Sequence, residues 1–139
     1  MADITWEPLI EAALEVRGRA YSPYSGYAVG AALLGRDGQI YAGCNVENAS
    51  YGLTMCAERN AIFQAVAKGC KRITAIAIVA DGNAMPYPCG ACRQVMSEFC
   101  DPDCEVLVAP LQNLDSYDQS SFGTLLPKTF TLLPDKEDE

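Results

Sequence analysis

Near the start of the chain Ile10, Ala13, Leu14 and Arg17 recur at helical spacing, which predicts a helix over residues 5–20. Pro8 falls in its first turn, where proline is tolerated, and Gly18 weakens its far end. The following Tyr21-Ser22-Pro23-Tyr24-Ser25-Gly26-Tyr27 is too rich in turn formers and aromatics to continue the helix and reads as a loop that presents rings. Two apolar runs, 28–34 and 39–46, flank Gly35-Arg36-Asp37-Gly38, whose Asp-Gly pair marks a hairpin.

The period then changes. Ala57, Ala61, Ile62, Ala65 and Val66 form a stripe that predicts a second helix over residues 54–68, stopped at Lys68-Gly69. Residues 73–80 are continuously apolar and partly β-branched, as in a strand covered on both faces. After Asp81-Gly82-Asn83 and Pro86-Tyr87-Pro88, a third helix is marked by Cys92, Val95, Met96 and Phe99, and residues 105–110 give another short strand. Residues 120–126 predict a helical turn ending at Pro127, residues 129–133 an edge strand, and the acidic residues from about 134 a frayed tail. Helix, hairpin, helix, strand, helix and strand in that order predict an α/β fold. The expected form is a three-layer α/β/α sandwich with a central mixed sheet of about five strands, in a single domain over residues 1–139.

Composition narrows the chemistry. The chain has no histidine, which excludes Ser-His-Asp and Cys-His catalysis and any zinc site built on imidazole. Ten basic against 18 acidic side chains give a net charge of -8, a balance that repels phosphate polyanions and argues against nucleic acid as partner. The first residues lack a basic start and apolar stretch, and no apolar run nears the roughly 20 residues that cross a bilayer, so the expectation is a cytoplasmic protein with no membrane partner. In such a reducing setting, seven cysteines read as metal ligands plus buried thiols, with Cys44, Cys70, Cys100 and Cys104 filling the core.

Cys56-Ala57-Glu58 and Cys89-Gly90-Ala91-Cys92 open the second and third helices. A C-x-x-C turn lets two sulfurs converge on one ion, a third can arrive from the other helix start, and three ligands leave a tetrahedral zinc one open position. Zinc with three thiolates sums to about -1, which activates water poorly, so compensating positive charge is required. Two helix N-termini at roughly +0.5 each supply part of it. Arg59 or Arg93 can supply more by donating to sulfur, and Arg59 and Gln94 are expected around the ligands. Glu58 stands two residues after Cys56, on the opposite side of a regular helix, so Cys56 must occupy an irregular first position for both to face one ion.

Asn45-Val46-Glu47-Asn48, Cys56-Ala57-Glu58-Arg59 and Pro88-Cys89-Gly90-Ala91-Cys92-Arg93-Gln94, with Ser22-Pro23-Tyr24-Ser25 ahead of Val29-Gly30-Ala31-Ala32, together resemble the small cytidine deaminases over about residues 20–130. The resemblance implies an enzyme: a zinc-dependent hydrolase that converts cytidine and deoxycytidine to uridine and deoxyuridine with release of ammonia, in pyrimidine salvage. A deaminase of another aminopyrimidine nucleoside, such as a nucleoside antibiotic, is the alternative. It further implies one Zn(II) per subunit on Cys56, Cys89 and Cys92, with Glu58 carrying protons to N3 of the base and to the departing amine. Asn45 and Glu47 match positions that hold the ribose, and Tyr27 stands where the family usually carries Phe against the nucleoside. Phe130 and Tyr51 match positions that serve a neighbouring subunit, because the short family members are homotetramers.

Overall fold

The computed structural model describes residues 4–133, so the acidic tail lies outside the described residues. Helix α1 (Trp6–Arg17) leads through the aromatic loop into the hairpin β1 (Val29–Gly35) and β2 (Ile40–Cys44). A 3-10 turn at Tyr51–Leu53 precedes α2 (Ala57–Ala67), followed by β3 (Ile73–Ala80), α3 (Gly90–Phe99) and β4 (Cys100–Pro110). A short edge strand β5 (Asp118–Ser121) and one helical turn α4 (Phe122–Leu125) complete the elements among the described residues.

The five strands form one mixed sheet in the order β2-β1-β3-β4-β5, with β3 and β4 parallel and every other pair antiparallel. The parallel pair is made by the crossover through α3, as a β-α-β unit requires. On one face α1 packs Leu9 and Ala13 against Ala32, Ala75, Ala77 and Val79. On the other, Ala57, Ala61, Ile62 and Ala65 of α2 and Met96 of α3 cover Ala31, Leu33, Ile76, Ile78, Val106 and Val108. Alternate residues of the same strands thus feed two cores, and the expected three-layer α/β/α sandwich is present. No helix among the described residues is long and apolar enough to cross a membrane.

Helix α2 is held unusually close to the sheet. A Cβ at Gly43 would lie 2.4 Å from the Ala61 amide nitrogen and 2.9 Å from the Ala57 carbonyl oxygen, so the helix backbone occupies the space a side chain would need. The outer carbonyls of edge strand β2 are taken by the same helix, because Asn60 Nδ2 donates to Cys44 O at 2.8 Å and Gln64 Nε2 to Ala42 O at 3.0 Å. This seals a sheet edge and sets the height of the α2 N-terminus above the strands.

Two expectations about the last third are corrected. Residues 129–133 form no strand; Leu132 and Leu133 are exposed, and the edge position beside β4 is taken by β5. Strand β4 also begins at Cys100, five residues before the expected Glu105, because its irregular first half still pairs Cys100 with Ile73.

Candidate metal centre and active site

The two helix starts meet at one point. Cys56 is the N-cap of α2, with φ -74° and ψ 155°, and Cys89 is the N-cap of α3, with φ -68° and ψ 170°. Cys92 follows on the first turn of α3. An extended N-cap turns its side chain away from the helical progression, so Cys56 and the buried Glu58 escape the opposition a regular helix would impose on i and i+2. The Sγ atoms of Cys56, Cys89 and Cys92 all lie within 4.8 Å of one another, and those of Cys89 and Cys92 are 3.5 Å apart. Three sulfurs on a tetrahedral zinc at its usual bond length sit about 3.8 Å from one another, so this donor set fits that ion. No other group of three or more metal-ligating side chains occurs among the described residues.

Positive charge is supplied where the charge balance requires it. Arg59 Nη2 donates to Cys56 Sγ at 3.3 Å. The Cys92 thiol beside it and this guanidinium hold the Cys56 thiol well below its ordinary value, while the same pairing with Cys56 and burial push Cys92 up. Arg93 does not reach sulfur. Its Nε donates to Pro88 O at 2.7 Å and its Nη1 to Leu125 O at 2.8 Å, clamping the Cys89 loop to α4. Gln94, expected around the ligands, donates through Nε2 to Phe130 O at 3.2 Å.

A cavity of about 230 Å³ includes Cys56, Ala57, Glu58 and Cys89 in its lining. Glu58 is 5 % exposed. Burial pushes its carboxyl up to about 7, and the neighbouring Cys56 thiolate adds to the rise. A carboxyl so placed exchanges a proton near neutral pH, the property a general acid and base needs.

Asn45, Glu47 and Tyr27 line the same cavity. Asn45 Oδ1 accepts from Val29 N at 2.9 Å and its Nδ2 donates to Tyr27 O at 2.8 Å, which leaves one N–H and one lone pair. Glu47 Oε1 accepts from the amides of Tyr24 and Ser25 at 2.9 and 3.1 Å, and Oε2 accepts from the Ser25 hydroxyl. The two side chains therefore organise the aromatic loop and keep spare donor and acceptor capacity toward the cavity. Burial raises the Tyr27 hydroxyl above its ordinary value, with Asp81 and Glu58 adding to the rise.

Tyr51, expected to serve a neighbouring subunit, lines the cavity of its own chain, whereas Phe130 is absent from the lining and stands 67 % exposed. Sequence reasoning missed Val29, Thr54, Pro86 and Tyr87 as lining residues. For Tyr87 the available signal was an aromatic residue set between two prolines directly ahead of C-x-x-C.

An α/β/α sandwich with three thiols gathered at two helix starts, a buried carboxyl beside them and an adjoining cavity defines a zinc hydrolase site of the thiolate type. Residues 5–108 match the family model described as the cytidine and deoxycytidylate deaminase zinc-binding region. A cytidine deaminase of Halalkalibacterium halodurans is 50% identical over 123 residues, covering 88% of this chain and 92% of its own. One of Sporosarcina psychrophila is 46% identical over 125 residues, covering 90% of each chain. Among solved structures, the cytidine deaminase of Burkholderia pseudomallei superposes with a TM-score of 0.85 at 49% identity, over 91% of this chain and 100% of that one. The chain belongs to the cytidine and deoxycytidylate deaminase family.

Proposed function

We propose that this chain is a cytoplasmic enzyme of pyrimidine salvage that hydrolyses cytidine and deoxycytidine to uridine and deoxyuridine, releasing ammonia. The observation that carries the reading is the convergence of Cys56, Cys89 and Cys92, with Cys56, Cys89 and buried Glu58 lining one nucleoside-sized cavity. Cys56, Cys89 and Cys92 would hold one zinc ion per chain, which when bound supplies Lewis-acid activation of water.

Glu58 takes the proton that water gives up and delivers it to N3 of the base as the new C–O bond forms at C4. It then takes the proton of the new C4 hydroxyl and passes it to the departing amine as the C4–N bond breaks and the C4 carbonyl forms. One carboxyl serves both transfers because its proton is restored between them. Asn45 and Glu47 hold the ribose hydroxyls through the donor and acceptor sites left after their loop bonds, and Tyr27 packs along the nucleoside. Arg59 positions and neutralises Cys56.

Support for a homotetramer comes from the exposed large side chains Tyr21, Tyr24, Val46, Tyr51 and Leu53, of which Tyr51 lines the cavity. In such an assembly Phe130 would reach the site of a neighbouring copy. The test is a comparison of kcat/KM for cytidine, deoxycytidine, cytosine and cytidine monophosphate. The two nucleosides should lead; faster turnover of the free base or of the monophosphate would overturn the nucleoside assignment.

A further inference from the structure

Directly ahead of the ligand Cys89, the chain restrains a half-exposed aromatic residue at its backbone and at its hydroxyl. Tyr87 N donates to Met85 O at 3.0 Å, closing a three-residue turn centred on Pro86. On its other side Pro88 is fully buried, and Arg93 Nε grips the Pro88 carbonyl at 2.7 Å. At the tip of the ring the Tyr87 hydroxyl donates to Asp118 Oδ2, on edge strand β5 and 31 residues further along the chain. That acceptor also raises the hydroxyl above the ordinary tyrosine range. Yet the ring is 45% exposed and lines the cavity with Cys89 and Glu58. Core packing does not account for a residue fixed at backbone and hydroxyl that stays half-exposed and lines the cavity, whereas recognition does, because a pre-organised wall loses little entropy when a ligand meets it.

Which edge of the substrate it meets follows from the placement of Glu58. On the reading given under Proposed function, the reacting carbon is C4 and Glu58, on α2, serves N3. The opposite neighbour of C4 in the pyrimidine ring is C5, which then faces the segment leading into α3. We propose that Tyr87, held by Asp118, is the wall against the C5 edge of the base and restricts turnover of pyrimidine nucleosides substituted there. Tyr87 is a substrate contact, and Asp118 is a positioning residue that acts through it.

The experiment compares kcat/KM for cytidine and 5-methylcytidine in the zinc-loaded protein and in Tyr87→Ala, Tyr87→Phe, Asp118→Ala and Asp118→Asn, with zinc content as the check on folding. The unaltered protein should prefer cytidine. Tyr87→Ala should lower that preference about 10-fold, the scale of one methyl group against a pocket wall. Tyr87→Phe and Asp118→Ala each cut the same anchor, so they should lower it alike and, when combined, no further. Asp118→Asn keeps a carbonyl acceptor and should restore the original preference. A preference unchanged in Tyr87→Ala and Tyr87→Phe, while cytidine is still turned over, would overturn this assignment alone. Failure of the unaltered, zinc-loaded protein to deaminate cytidine would overturn the underlying function and this inference with it.

Discussion

Arg59 Nη2 sits 3.3 Å from Cys56 Sγ, joining a helix N-cap to the third residue after it. The contact sets a fixed cation against one of three sulfurs whose combined charge would exceed that of a zinc ion by about one unit. Removing it with Arg59→Gln should leave the fold intact and lower zinc affinity or kcat about 10- to 100-fold, the usual scale for partners of metal ligands. Zinc titration with a competing chelator, run beside cytidine turnover, separates the two effects. A variant with unaltered affinity and rate would remove Arg59 from the charge balance.

The approach of α2 to β2 at Gly43 leaves no room for a methyl group. Gly43→Ala should cost about 1–3 kcal/mol, because the obstacle is helix backbone and the helix must shift as a unit. Urea unfolding at neutral pH reads this directly. Since the same shift lifts Cys56 and Glu58, zinc affinity should fall along with stability; an unchanged urea midpoint would contradict the packing argument.

Glu47 lies below its ordinary value of 4.5, first through the bond from the Ser25 hydroxyl and then through the Ser25 and Tyr24 amides. A carboxyl lowered by folding stabilises the fold fully above its unfolded value, and that contribution is lost as pH falls through the folded one. The urea midpoint should therefore decline on acidification below about pH 4.5, and Glu47→Gln should flatten part of that decline. Asp37, lowered first by the Tyr41 hydroxyl, contributes in the same direction. If Glu47→Gln and the parent lose stability in parallel on acidification, the loop bonds to Glu47 carry no such linkage.

Cys100 and Cys104 are buried within the core that α3 and α4 help to enclose, and neither joins the group of converging sulfurs. Replacing Cys104 by Ala should leave zinc content at the parent value, with a modest loss of stability from the removed sulfur. Metal analysis of the purified variant checks this, and a loss of half the zinc or more would show that this cysteine takes part in metal binding.

Legibility in the sequence followed how far each signal depended on distant partners. Strand β3 was readable to its end residues because a continuous apolar run needs no context, and the hairpin because Asp37-Gly38 is a local turn signal. Strand β5, Asp-Gln-Ser-Ser, carries no apolar alternation; its strand character comes from pairing Glu105 through Val108 of β4 with Ser121 through Asp118. The apolar residues at 129–133 misled in the opposite sense, since the edge they would have joined was already taken. At the site, the three cysteines and Glu58 were readable from spacing at helix starts. The grip of Arg93 on Leu125 and the bond of Tyr87 to Asp118 were not, because each joins residues about thirty positions apart that only the folded sheet brings together.

The most direct test of the whole account is the rate of ammonia release from cytidine per bound zinc, measured for Glu58→Gln against the parent. The amide keeps the size of the carboxyl but carries no exchangeable acidic proton, so the rate per zinc should fall by at least about 100-fold while zinc content holds. An equal rate per zinc in the two proteins would contradict a mechanism in which this buried carboxyl moves the protons.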